Sequence, residues 1–329
     1  MIVELGTGFR VLTPLFPHWA RFGHPVFVRE LNWLQGDQRR AWRRLGVLSL
    51  SVLMVVMTGI SVMAWRDGDS LLPHVDRDSS WPLWLMLVVP HLLLRLVTTA
   101  STTSAVNREV QSGNWTMLRT TSMDLREIIG AKWAAGLWSV RLLLGWLLVV
   151  RVVLLVLLLG DMMDFRGRSL FFMVGSSQPA IPWVIGLITV SAGLTCSLMQ
   201  PGIAAGLDAA IGMVFSVWIR SRGPAMISAV LIRMSVWAAV VVCSWQTVSC
   251  LGQVPVSAPG KWCLVLLFLI EGDLGLGLLT TNWLMPLYGG VDWGFMVGPM
   301  ALMWLLFSAW LVVGLIRLAA WRAARLSAI

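Results

Sequence analysis

The chain has 329 residues, 57% of them hydrophobic and only 12% charged, with a mean hydropathy of +0.79. A water-facing surface needs roughly 25% charged residues, so a soluble domain is excluded, and several apolar runs reach the ~20 residues that cross a bilayer. The net charge of +9 implies no nucleic-acid partner, because basic residues of membrane proteins collect on cytoplasmic loops.

Residues 1–44 read as a basic cytoplasmic region. Met1 to Phe22 is interrupted by Glu4, Arg10, Pro14 and Pro17 and does not resemble a secretory signal. After His24-Pro25, the residues Val26, Phe27, Glu30, Leu31 and Leu34 share one helical face, and Arg39, Arg40, Arg43 and Arg44 follow. The pattern predicts an amphipathic interfacial helix on the cytoplasmic leaflet, with its arginines at lipid phosphates. A frayed basic tail is the plainer alternative.

Residues 45–316 read as an all-α integral membrane domain of six transmembrane helices. The spans are expected at about 45–65, 82–105, 133–159, 182–219, 225–250 and 294–316. The fourth is too long for one upright helix, and Gln200-Pro201-Gly202 predicts a kink in it. Residues 262–286 are apolar but carry Glu271 and Asp273 at their middle. A full crossing would bury both carboxylates, so a re-entrant helical pair before the last span is expected there. Residues 317–329 form a cytoplasmic tail. Trp65, Trp81, Trp84, Trp133, Trp183, Trp218 and Trp262 stand at run ends, as an interfacial belt would have them.

Both termini then lie on the cytoplasmic side of a cell (inner) membrane. With them fall Arg108, Arg119, Arg126, Lys132, Arg220, Arg222, Arg317, Arg322 and Arg325, against Arg66, Arg77, Arg166, Arg168 and Lys261 outside. This asymmetry follows the positive-inside rule. Cys196, Cys243, Cys250 and Cys263 have no CxxC spacing, and His18, His24, His74 and His91 do not cluster, so no metal site is expected.

Polar groups also fall within the spans. Arg95, Arg141, Asp208 and Arg233 each lie roughly 12–16 Å from the cytoplasmic helix end at ~1.5 Å per residue, one shared depth in the inner leaflet. An ion pair of Asp208 with one arginine, the others snorkelling to inner phosphates, is one reading. An inward-facing polar pocket for an anionic substrate or headgroup is the other. Arg151 lies in the outer half and fits neither group.

The connector between the second and third spans, residues 107–132 (NREVQSGNWTMLRTTSMDLREIIGAK), is the longest polar insertion between strongly apolar segments. An ordinary solvated loop with Trp115 at the interface explains it as well as a helical lever does. The run Arg108-Glu109, Gly113-Asn114-Trp115, Leu118, Thr121, Arg126-Glu127-Ile128 and Lys132 resembles the cytoplasmic segment of type-2 ATP-binding-cassette (ABC) transporter permeases. The opening His24-Pro25-Val26-Phe27-Val28-Arg29-Glu30-Leu31 is similar to the start of many such permeases, and Gly212-Met213-Val214-Phe215-Ser216 before Arg220 and Arg222 also fits. Gln111, Asn114, Thr116 and Ser122 depart from the family pattern.

The resemblance implies a permease subunit of an ATP-driven exporter for a hydrophobic or amphipathic substrate. Its partners would be a separate ABC ATPase subunit and a second permease, identical or related, within membrane lipid. Trp115 and Leu118 would plug a groove on the ATPase, Arg108, Glu109, Arg126 and Glu127 would form rim pairs, and Gly113 would let the chain turn. A second amphipathic helix, Leu125 to Lys132, would lead the force into the third span. ATP and Mg would sit on the partner, since this chain has no G-x-x-x-x-G-K-[ST] loop and is expected to carry no cofactor and no catalysis of its own. Two other classes compete: a non-transporting structural subunit of a larger membrane complex, and a membrane-embedded lipid-modifying enzyme. The second would need clustered His, Asp or Glu at one membrane face.

Overall fold

The computed structural model of the chain describes residues 24–34, 81–164, 183–251 and 297–325, and their regular structure is entirely helical. In chain order these are α1 (25–34), α2 (Trp81–Thr103), α3 (Ala105–Gln111), α4 (Asn114–Thr120), α5 (Leu125–Ser139), α6 (Arg141–Asp164), α7 (Trp183–Trp218), α8 (Arg222–Leu251) and α9 (Val297–Arg325). Ser191–Trp218 of α7 and Gly298–Arg325 of α9 are each long and apolar enough to cross a bilayer. Leu125–Ser139 and Arg141–Val152 meet at a 55° bend and pass the same test together. The described residues are all-helical and include helices long and apolar enough to cross a bilayer, as in an all-α membrane protein. The expected first span at 45–65 and the re-entrant pair at 262–286 lie outside the described residues.

The central element is α7, which packs against α2, α5, α6, α8 and α9. It runs 36 residues as one helix with Pro201 inside it, about 54 Å at ~1.5 Å per residue. That exceeds the ~30 Å of hydrocarbon, so a helix of this length projects from the bilayer or tilts within it. The side of α2 that meets α7 is rich in hydroxyls. Thr98, Thr99, Thr102 and Thr103 are all buried, and each donates to a carbonyl in the preceding turn of its own helix. Thus satisfied, they offer a small, closely packable surface. Thr102 fills the space left by two glycines, Gly136 of α5 and Gly212 of α7. A methyl at either would overlap its side chain, and at Gly212 would also stand 2.8 Å from the Thr99 carbonyl.

Two boundaries differ from expectation. The third span is broken at Val140, and α6 then continues through Asp164 rather than ending near 159. The last helix does not stop near 316 but continues to Arg325, because Ala319, Ala320 and Ala323 keep it packed.

One end of the bundle holds a core shared by many elements. Val26, Phe27, Leu31 and Leu34 of α1 pack there with Val106, Trp115, Leu118, Ile128 and Ile129, with Met213 and Val217 of α7, and with the three alanines of α9. The face of α1 is the one its spacing predicts: Val26, Phe27, Glu30, Leu31 and Leu34 are all buried. It is turned onto the chain itself, however, and not into lipid. Covering such side chains contributes roughly 1.5–3 kcal/mol each, which holds this helix of ten described residues where isolated helices are marginal.

Candidate functional site

The connector is three helices with tight joints. Buried Ser104, in the α region but making no side-chain cap, separates α2 from α3. The first-turn amides of α3 are satisfied from elsewhere: Val106 N and Asn107 N donate to Ser216 Oγ of α7 at 2.9 and 3.2 Å. Gly113, at φ +73°, makes the left-handed turn into α4, a conformation that favours glycine. Asp124 caps α5, its carboxylate accepting from Arg126 N at 3.4 Å.

Trp115 and Leu118 face inward. They are 4% and 9% exposed and belong to the shared core, so the outward plug expected of them is corrected. The outward side of α4 is instead Thr116, Met117 (72% exposed) and Thr120. Arg126 beside it is exposed and Glu127 half-buried. Gln111 Nε2 donates to the Arg220 carbonyl at 3.5 Å, which brings the basic turn between α7 and α8 against the end of α3.

Arg108 and Glu109 do not form an outer rim either. The dipeptides Arg29-Glu30 and Arg108-Glu109 pair crosswise. Arg29 Nη2 donates to Glu109 at 3.1 Å, and Arg108 Nη2 donates to Glu30. Lys132 of α5, 1% exposed, lies between the two carboxylates, 2.8 Å from Glu30 and 3.5 Å from Glu109, and donates to the Ala105 carbonyl at 3.2 Å. The Arg108 guanidinium also covers the Trp33 ring. Glu30, Glu109 and Lys132 are desolvated, and charges so placed are tolerated only when paired. The network therefore fixes α1, α3 and α5 relative to one another.

A second cluster lies deeper. Asp208 of α7, fully buried, accepts from Arg95 Nε of α2 at 2.6 Å and forms an ion pair with Arg233 of α8, whose Nε lies 3.2 Å away. Three of the four residues expected at this depth thus come together. Arg141 does not join them. It sits at the bend between α5 and α6, bonded to the Trp138 carbonyl at 3.3 Å and over the Trp138 ring. Arg151 is fully buried on α6, donating to the Ser197 carbonyl and lying 3.4 Å from His91 Nδ1. The half-buried Trp133 is held to α7, its indole donating to the Gly206 carbonyl at 2.9 Å.

Sequence reasoning missed Arg29, Glu30 and Lys132 as one site, and Ser216 as a cap. The available signal was the repeated Arg-Glu dipeptide, each copy on a helix with an apolar face. Among the described residues no group of three His, Cys, Asp or Glu is placed to hold a metal ion. No protein-family profile, characterised protein or solved structure matches the chain.

Proposed function

We propose that the protein is the membrane-spanning permease subunit of a type-2 ABC exporter, and that residues 107–132 receive mechanical work from a separate soluble ATPase. The observation that carries the reading is the charge network. The short helix α4 is anchored through Trp115 and Leu118 to the shared core, on a body in which α1, α3 and α5 are joined by Glu30, Glu109 and Lys132. A push on the exposed Met117 side of α4 therefore displaces a rigid unit rather than bending a loop.

This end of the bundle also gathers Arg29, Arg108, Arg126, Arg220, Arg222, Arg322 and Arg325, which supports its assignment to the cytoplasmic side. Because Trp115 and Leu118 are internal, the partner contact moves to Thr116, Met117, Thr120 and Arg126, with Arg108 and Glu109 acting behind the surface. The cargo is a hydrophobic or amphipathic molecule. Burial of Asp208 between Arg95 and Arg233 favours a structural over a substrate-binding role for that cluster.

The test is purification of the intact assembly from native membranes with identification of its components. A co-purifying soluble subunit with a phosphate-binding Walker loop is expected. An assembly composed only of membrane proteins would favour the non-transporting structural subunit instead.

A further inference from the structure

The connector leads directly into α5, so the obvious path for a displacement is along α5 into α6. The geometry argues against it. The two helices are separate segments set at 55°, and just after the joint α6 turns one face outward, with Leu142 78% exposed and nothing within 4 Å of where a side chain at Gly145 would start, while Leu143, Leu144 and Leu147 pack on its other face. A joint bent by 55° does not pass an axial push straight from one helix to the next.

Contacts to α7 are of another kind. Asp208, Gly212 and Ser216 fall at i, i+4 and i+8, one stripe of the helix, and all three are buried. Opposite them in ascending order stand Arg95, then Thr99 and Thr102, then Val106 and Asn107. The stripes therefore run in the same direction, and they make three different contacts: an ion pair, a close approach at glycine, and a hydroxyl cap. The cap is the contact that falls on the connector itself. Ser104 supplies no side-chain bond to the start of α3, and the two lone pairs of a hydroxyl can accept both amides.

We propose that Ser216 is a positioning residue that latches α3 to α7, so that α7, and not α6, carries the displacement of the connector into the membrane. Asp208 on the same stripe then passes it to α8 through Arg233. This inference rests on the permease reading for its source of motion, but the latch itself does not depend on a partner.

The experiment uses the full chain in lipid nanodiscs, with its four native cysteines replaced. Spin labels are placed at exposed positions in two pairs, Ser122 with Met199 on α7, and Ser122 with Val149 on α6. Distances are compared with and without ATP in the presence of the co-purified ATPase. The 122–199 distance is expected to stay fixed while the 122–149 distance changes. Ser216→Ala should make the 122–199 distance ATP-sensitive, and Ser216→Thr, which keeps the hydroxyl, should restore the fixed distance. A fixed 122–149 distance with a changing 122–199 distance in the unmutated protein overturns the proposal.

If no ATPase binds, the permease reading fails, and amide exchange decides the latch. Ser216→Ala should accelerate exchange at Val106 and Asn107 about tenfold, as expected for loss of one hydrogen bond, and Ser216→Thr should not. Unchanged exchange in Ser216→Ala overturns the latch.

Discussion

Replacing Asp208 by Asn probes a charge cluster buried between α2, α7 and α8. The carboxylate has one oxygen on Arg95 at 2.6 Å and the other on Arg233 at 3.2 Å, and none of the three side chains is more than 7% exposed. The amide keeps one weaker acceptor, turns an N–H₂ toward the other guanidinium, and leaves two positive charges facing each other. Removing one partner from a buried ion pair costs about 3–5 kcal/mol, a factor of roughly 10² to 10³·⁵ in the folded population at ~1.4 kcal/mol per decade. The yield of monodisperse protein in detergent and its thermal midpoint should both fall sharply. If the cluster serves only to join α2, α7 and α8, the triple variant Arg95→Leu, Asp208→Leu, Arg233→Leu should recover most of that loss, because well-packed apolar replacements of buried pairs are often neutral. An Asp208→Asn protein that folds and assembles like the unmutated chain but is inactive would refute this reasoning and return the cluster to the substrate path.

Gly212→Ala should destabilise by about 1–3 kcal/mol through overpacking, since the new methyl meets Thr102 and the Thr99 carbonyl. Adding Thr102→Ala removes the side-chain part of that overlap, and the double variant should show a higher thermal midpoint than Gly212→Ala alone. Glu30→Gln removes the common partner of Arg108 and Lys132. It should release α1, measured as faster amide exchange across residues 25–34 and faster proteolysis there, with the rest of the bundle intact.

The sequence carried a face more readily than the surface it meets. The spacing of Val26, Phe27, Glu30, Leu31 and Leu34 identifies the buried side of α1 because helical periodicity is local. That this side meets the connector instead of lipid depends on pairs 78 to 102 residues apart, which no local pattern encodes. For the same reason Trp115 and Leu118 were legible as an apolar face and illegible as an inward one. The turn at Gly113 is local, since a left-handed conformation is written in one residue. The shared depth of Arg95, Asp208 and Arg233 followed from counting residues along helices. Depth says nothing of azimuth, however, and Arg141 points elsewhere. The break at Val140 had no signal, as neither glycine nor proline marks it.

The central claim is that the Met117 side of the connector is the surface a soluble ATPase presses on. The direct measurement is site-specific photo-crosslinking in native membranes with a photoreactive residue at position 117, and at position 115 as an internal control. An adduct between position 117 and a soluble nucleotide-hydrolysing subunit, with position 115 crosslinking within the chain, is the expected result. Crosslinks from position 117 only to lipid or to membrane-embedded protein, or accessibility of position 117 from the exterior, would contradict the account.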